Sequence, residues 1–262
     1  MTDSRWALIL GASSGFGAAI AKELSGAGYD ICGVHLDMGP GRRTAEELRA
    51  SLEASGRRAI FFNVNAADHE KRQHVLDQLA SETGDGYVQV LVHSLAFGTT
   101  LPLFAPEGEA TLSPRQMEMT LDVMANSLVY WVQDALKRDL LRQGSRIFAM
   151  TSGGSTRVIR NYGAVSAAKA ALEANIRQIA FELAPKGITA NALRAGMTDT
   201  PAMRKIPGAS DLYGQLAARH PAGRATTPED VARAVKALAG PDTAWISGEV
   251  IGVDNTEHIT AA

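Results

Sequence analysis

The chain has 262 residues, 45% apolar and 21% charged, an ordinary globular balance with room for one large α/β domain or two small ones. A formal net charge of −2 with no long basic run argues against nucleic acid as a partner, and no window reaches the apolar length a membrane span needs. The single cysteine, Cys32, excludes a disulfide framework and fits a cytoplasmic protein; the N-terminus enters apolar Trp6–Leu10 within a few residues, which leaves no room for a signal peptide.

Trp6 to Leu10 reads as a strand buried on both faces, as in a parallel sheet. It ends in Gly11-Ala12-Ser13-Ser14-Gly15-Phe16-Gly17, after which Ala18 to Leu24 has helical period. Strand, glycine loop and helix place backbone N–H groups and a helix N-terminus where a pyrophosphate can sit, so Gly11, Ser13, Ser14, Gly15, Phe16 and Gly17 are candidate cofactor residues. The second strand, Ile31 to Leu36, ends at Asp37, twenty positions after Gly17. An acid there can accept hydrogen bonds from adenosine ribose hydroxyls and would repel a 2′-phosphate. Arg42 and Arg43 follow at once, and guanidinium groups suit a phosphate. The cofactor is therefore NADH or NADPH, with Asp37 leaning towards NADH.

A helix from Thr44 to Ala54 leads to the third strand, Ala59 to Val64, where Asn63 and Val64 can meet an adenine ring. A helix from about Asp68 to Glu82 leads to the fourth, Val88 to His93. His93 reads as a structural hydrogen-bonder at a strand end. Ser94, Leu95 and Ala96 follow, small enough in part for a flat ring or a ribose to approach the backbone. Thr99 to Pro114 reads as a loop, and Ser113-Pro114 as the start of a long helix running to about Arg142 and carrying Asn126 in its middle. The fifth strand, Arg146 to Met150, is followed by Thr151-Ser152. Tyr162 and Lys169 stand seven residues apart at the start of an Ala-rich helix that runs to about Ala184, so they share a face, and the cation is expected to lower the phenol's pKa. Ile188 to Leu193 is the sixth strand, followed by Gly196, Thr198 and Thr200. Residues 197 to about 220 look like a mobile lid, Thr227 opens a last helix, and Gly248 to Val253 is a seventh strand.

Seven strands alternating with helices predict a Rossmann-type, doubly wound parallel sheet in a single domain spanning residues 1–262. Gly11–Gly17, Asp37, Asn63, Ser94, Ser152 and Gly196–Thr200 all fall at strand C-termini, where such sheets bind ligands.

Taken together, these segments resemble the short-chain dehydrogenase/reductase family over nearly the whole chain. The family's Gly-x-x-x-Gly-x-Gly is present, but its Asn-Asn-Ala-Gly after strand four is replaced by His93-Ser94-Leu95-Ala96-Phe97. Its Tyr-x-x-x-Lys would put a tyrosine at Val165; here the tyrosine lies three residues earlier, at Tyr162. Both departures, with Ala195-Gly196 and Ile246-Ser247-Gly248-Glu249-Val250, resemble the bacterial enoyl-acyl-carrier-protein reductases. Ser152 stands where many of those carry a second tyrosine, and Asp254-Asn255-Thr256 replaces the usual Asp-Gly-Gly.

The resemblance implies NAD(P)H-dependent reduction of the 2,3-double bond of an enoyl thioester. In that reaction negative charge develops on the thioester oxygen, farther from the nicotinamide than in carbonyl reduction, and a set-back phenol suits it. It implies that Tyr162, Lys169, Ser152 and Asn126 are catalytic, that Lys169 binds the nicotinamide ribose, and that Thr198 and Thr200 hold the carboxamide and phosphate. It also implies a homotetramer and an acyl carrier protein or coenzyme A as the thiol carrier. An ordinary carbonyl reductase or alcohol dehydrogenase is the principal rival, and a non-catalytic dinucleotide sensor a remote one.

Overall fold

The computed structural model describes residues 5–206 and 208–259, with the side chains of 209, 210 and 212 left aside. Seven strands form one parallel sheet: β1 (Arg5–Leu10), β2 (Asp30–His35), β3 (Ala59–Asn63), β4 (Tyr87–His93), β5 (Arg146–Ser152), β6 (Thr189–Ala195) and β7 (Val250–Val253). Their order is β3-β2-β1-β4-β5-β6-β7, the doubly wound arrangement expected. The order reverses direction between β1 and β4, so a crevice opens beyond their carboxyl ends.

Residue alternation divides the core in two. Trp6, Leu8 and Leu10 of β1 point to one face, under α3 (His69–Thr83), α5 (Ser127–Lys137) and α6 (Gly163–Leu183). Ala7 and Ile9 point to the other, under α1 (Gly15–Gly26), α2 (Pro40–Ala54) and α8 (Pro228–Leu238). Both faces of β1 are fully buried beyond Arg5, which is why it reads as a continuous apolar run.

The single long helix expected between Ser113 and Arg142 is instead three pieces. α4 (Pro114–Leu121) passes into a π turn, Asp122–Asn126, and then into α5. A hydroxyl explains the break: Ser127 Oγ donates to the Val123 carbonyl at 2.8 Å and competes with the helical ladder. α5 stops at Lys137 because Asp139 takes a left-handed φ of 55°, and the Leu140 and Asp139 amides turn back to the carbonyls of Ala135 and Leu136. The expected lid holds a short 3-10 turn (Met203–Lys205) and α7 (Ala209–Arg219); Pro207, inside it, lies outside the described residues. Among the described residues, no helix is long and apolar enough to cross a membrane.

Candidate active site

The glycine loop is built by close backbone packing. A Cβ on Gly17 would sit 2.0 Å from the Gly11 carbonyl oxygen, and one on Gly11, whose φ is +91°, 2.4 Å from the Ser94 carbonyl oxygen. Only glycines let α1, the end of β1 and the end of β4 meet this closely. Ser14 is the N-cap of α1 but makes no side-chain capping bond, and the amides of a helix's first turn have no intrahelical acceptors. Those of Gly15, Phe16 and Gly17 suit an anion. Thr200 packs its side chain over Gly15, with its Cγ2 3.4 Å from where a Cβ would lie. This brings the loop after β6 onto the loop after β1.

Asp37 and Asn63 meet at the ends of β2 and β3. Asn63 Oδ1 accepts from the Asp37 amide and its Nδ2 donates to the Asp37 carbonyl, both at 2.9 Å. Asn63 is thus a brace for the acid's backbone, a role the sequence did not suggest. Asp37 Oδ2 lies 2.8 Å from His35 Nδ1. Arg42 and Arg43 are exposed in the first turn of α2, outside the ion pairs formed among the described residues. Val64 follows with its amide on the His35 carbonyl at 2.7 Å. Ser94 donates its amide to Leu10 at 2.8 Å, Leu95 is half-buried and Ala96 exposed.

On the other side of the crevice, Gly196 has its Cβ position 2.4 Å from Thr226 Oγ1 and 2.7 Å from Glu257 Oε2. Both Glu257 oxygens accept from the Met197 amide, at 3.0 and 2.9 Å. Thr198 and Thr200 are buried, the first donating to the Gly196 carbonyl at 2.9 Å and the second accepting from the Met203 amide at 3.2 Å. Glu257, in the tail that departs from the family pattern, fixes this loop and was not foreseen.

Tyr162 is the N-cap residue of α6, and its ring covers Gly154, where a Cβ would meet Cε1 at 2.7 Å. Ser152 Oγ, 3.3 Å from that same point, is buried without a hydrogen-bond partner among the described residues. Burial pushes the Tyr162 phenol above its ordinary pKa; the Ser152 hydroxyl, near but outside hydrogen-bonding geometry, pulls the other way. The expected lowering by Lys169 is not found. Lys169 is 6% exposed and its ammonium donates to the Met150 carbonyl at 2.7 Å; burial holds its pKa down to about 8, with Glu173 opposing. Asn126 closes the π turn, and the Asn175 side chain donates to its neighbour Ala125's carbonyl at 3.3 Å.

Val165 occupies the place the common family tyrosine would take. It is buried with Val123, Met124 and Ala168, and its Cγ2 comes 2.7 Å from the Cβ position of Gly98. The Val165 side chain carries no hydroxyl. His93 is fully buried, with Nε2 2.8 Å from Ser127 Oγ, which in turn donates to Val123. Burial first, then Lys169, hold its pKa down to about 3, so it is a neutral link between β4 and the π turn. The structural role read from its position stands.

The cleft fits a dinucleotide: crowded glycines, an uncapped helix N-terminus and an unpartnered buried hydroxyl line a single sheet edge. Among the described residues no group of His, Cys, Asp and Glu is arranged to hold a metal.

Residues 11–255 match the family model described as enoyl-(acyl carrier protein) reductase. Among curated relatives, the chain is 31% identical over 258 residues, 95% of each protein, to cis-4-hydroxycyclohexanecarboxylate dehydrogenase of Sinomonas cyclohexanicum. It is 27% identical over 257 residues to 1-cyclohexenylcarbonyl-CoA reductase of Streptomyces collinus, covering 97% of this chain and 87% of that one. A solved short chain dehydrogenase from Burkholderia cenocepacia J2315, in complex with NADP, superposes with a TM-score of 0.81 at 28% identity over 96% of both chains. The chain is an oxidoreductase of the short-chain dehydrogenase/reductase family.

Proposed function

We propose that the chain reduces the 2,3-double bond of an enoyl thioester with NADH or NADPH. The observation that carries this is the displaced phenol: Tyr162 stands before the first turn of α6, while Val165, one turn before Lys169, is buried and has no hydroxyl. The Streptomyces collinus relative is named as a reductase of a cyclohexenylcarbonyl thioester, which supports the reading.

Gly11, Ser13, Ser14, Gly15, Phe16 and Gly17 would hold the pyrophosphate. Asp37, its backbone braced by Asn63, and Val64 would hold the adenosine, Ser94, Leu95 and Ala96 the central ribose region, and Gly196, Thr198 and Thr200 the nicotinamide half. When bound, the reduced nicotinamide supplies the hydride. Tyr162, its pKa raised by burial, stays protonated at neutral pH and donates a hydrogen bond where charge develops on the thioester oxygen. Lys169, with a pKa of about 8, is mostly charged at pH 7 and supplies positive potential and a ribose contact. Ser152 Oγ has the free valence to steady the phenol or the carbonyl, and Asn126 to hold a water leading to Lys169. A homotetramer in the cytoplasm, served by acyl carrier protein or coenzyme A thioesters, belongs to the same proposal.

Reduction or oxidation at a carbonyl or alcohol is the second reading. The unpartnered Ser152 hydroxyl beside Tyr162 and the dehydrogenase relative favour it. Absorbance loss at the reduced-nicotinamide band separates the two, using a short trans-2-enoyl thioester and a panel of ketones and aldehydes, each with NADH and NADPH. Turnover of the thioester alone supports the proposal; turnover of carbonyls alone overturns it. Tyr162→Phe should lower turnover of the thioester about 100- to 1,000-fold, the cost of losing one donor to a developing oxyanion, while cofactor affinity stays within about twofold. Full activity in that variant would remove Tyr162 from the mechanism.

A further inference from the structure

Lys169 is a cation in a dry place. One carbonyl, Met150, receives its ammonium, and a carbonyl carries no countercharge. A buried ammonium with no opposing charge gives up its proton. One turn further along α6 stands Glu173, itself 8% exposed. Its Oε1 accepts from Thr151 Oγ1 at 2.6 Å, and Thr151 is 5% exposed. Thr151 lies between Met150, which holds Lys169, and Ser152, the hydroxyl beside Tyr162. The end of β5 therefore ties the lysine, the carboxylate and the candidate hydroxyl into one assembly.

We propose that Glu173 is a positioning residue for Lys169: a buried carboxylate, anchored to the end of β5 through Thr151, that keeps the neighbouring ammonium charged where the Met150 carbonyl holds it. The proposal rests on Lys169 serving as the active-site cation, as set out above. The other titratable groups facing Lys169 do not provide the charge. His93, from β4, is held neutral, and Tyr162, from the start of α6, is a neutral phenol at working pH. Glu173 is the charged group that opposes the effect of burial on Lys169.

Glu173→Gln tests this, because glutamine keeps the shape and an oxygen for Thr151 while removing the charge. Residues four apart on a helix have Cβ atoms about 5–6 Å apart, and an opposite charge at that range holds a neighbouring pKa by about one unit or more. The pH dependence of cofactor binding, followed by fluorescence titration without substrate, and the alkaline limb of kcat/KM are the two readouts. In Glu173→Gln both should move to lower pH by about one unit, so that near pH 8 the variant is about fivefold below the parent. At pH 6 it should match the parent within about twofold, and Glu173→Asp should return both limbs towards their starting place. If the Gln variant does not fold, Thr151→Val frees the carboxylate from the strand and should move both limbs the same way by a smaller step. Limbs that stay in place in the folded variant overturn the proposal. The binding arm needs no turnover: a shifted binding limb with no enoyl turnover would refute the enoyl reading and leave the role of Glu173 intact.

Discussion

Gly17→Ala puts a single methyl group into the tightest point of the cleft. Its Cβ would lie 2.0 Å from the Gly11 carbonyl oxygen, 2.8 Å from the Gly11 carbonyl carbon and 3.2 Å from the Ala12 Cα, all backbone atoms. To reach the 3.4 Å of ordinary contact, the start of α1 must move about 1.4 Å away from the end of β1. It is poorly free to do so. Ile20, Ala21 and Leu24, the next residues on its inner face, are fully buried in the sheet's α1 side. Forcing a methyl group against rigid backbone in a packed core costs about 3 kcal/mol, the upper part of the range for overpacking. For a chain of this size that lowers the melting temperature by roughly 6–12 °C. The same shift withdraws the first-turn amides from a bound pyrophosphate, and losing one charge-assisted hydrogen bond weakens binding at least about tenfold.

Gly26→Ala is the matched control. No heavy atom lies within 4 Å of its Cβ position, at the far end of the same helix, so stability should hold or rise by about 0.5 kcal/mol. Thermal melting by circular dichroism and calorimetric titration with NADH and NADPH read both variants. Gly17→Ala binding cofactor within twofold of the parent would refute the claim that this close approach builds the pyrophosphate cradle.

Two further predictions concern stability. Ser127→Ala removes the acceptor for His93 Nε2 and strands a ring nitrogen at a fully buried site, which costs about 2 kcal/mol and should lower the melting temperature by roughly 4–8 °C. An unchanged melting temperature would mean that the β4–π-turn link is not stabilising. Asp134 is buried between α3 and α5, with Arg72 Nε 2.8 Å away and Lys137 and Gln73 also donating to it. Burial opposes its charge, but those donors hold its pKa down to about 2. A carboxylate with a depressed folded-state pKa stabilises above its unfolded value and loses that stabilisation as pH falls through the folded value. Asp134→Asn should therefore cost about 3 kcal/mol at pH 7, where it leaves Arg72 without its carboxylate, and little near pH 2. Melting curves at the two pH values check it, and an equal deficit at both would refute the assignment.

Periodicity, glycine spacing and strand-end residues in the sequence determined the sheet and the edge at which the candidate site residues gather. Alternating burial needs only local chemistry, so β1's apolar run, the glycine loop and the helix that begins after Tyr162 and carries Lys169 are legible residue by residue. The resemblance to the dehydrogenase/reductase family, and the absence of a hydroxyl at Val165, were legible for the same reason. What only the tertiary structure decided depends on groups far apart in the chain. Asn63 reads as an adenine contact until Asp37, across a strand pair, takes both ends of its amide. The helix after Ser113 reads as continuous until the Ser127 hydroxyl, shared between His93 and Val123, opens a π turn in it. The pKa of Tyr162 follows burial rather than the cation two turns along, because the Lys169 ammonium is drawn to Met150 on β5 instead. Glu173 is enclosed against Thr151 and Glu257 closes on the amide of Met197, partners that no spacing along the chain picks out. Spacing along a chain sets which face a side chain leaves from. The partner it meets, and the charge it then carries, are set by the surfaces that folding brings against that face.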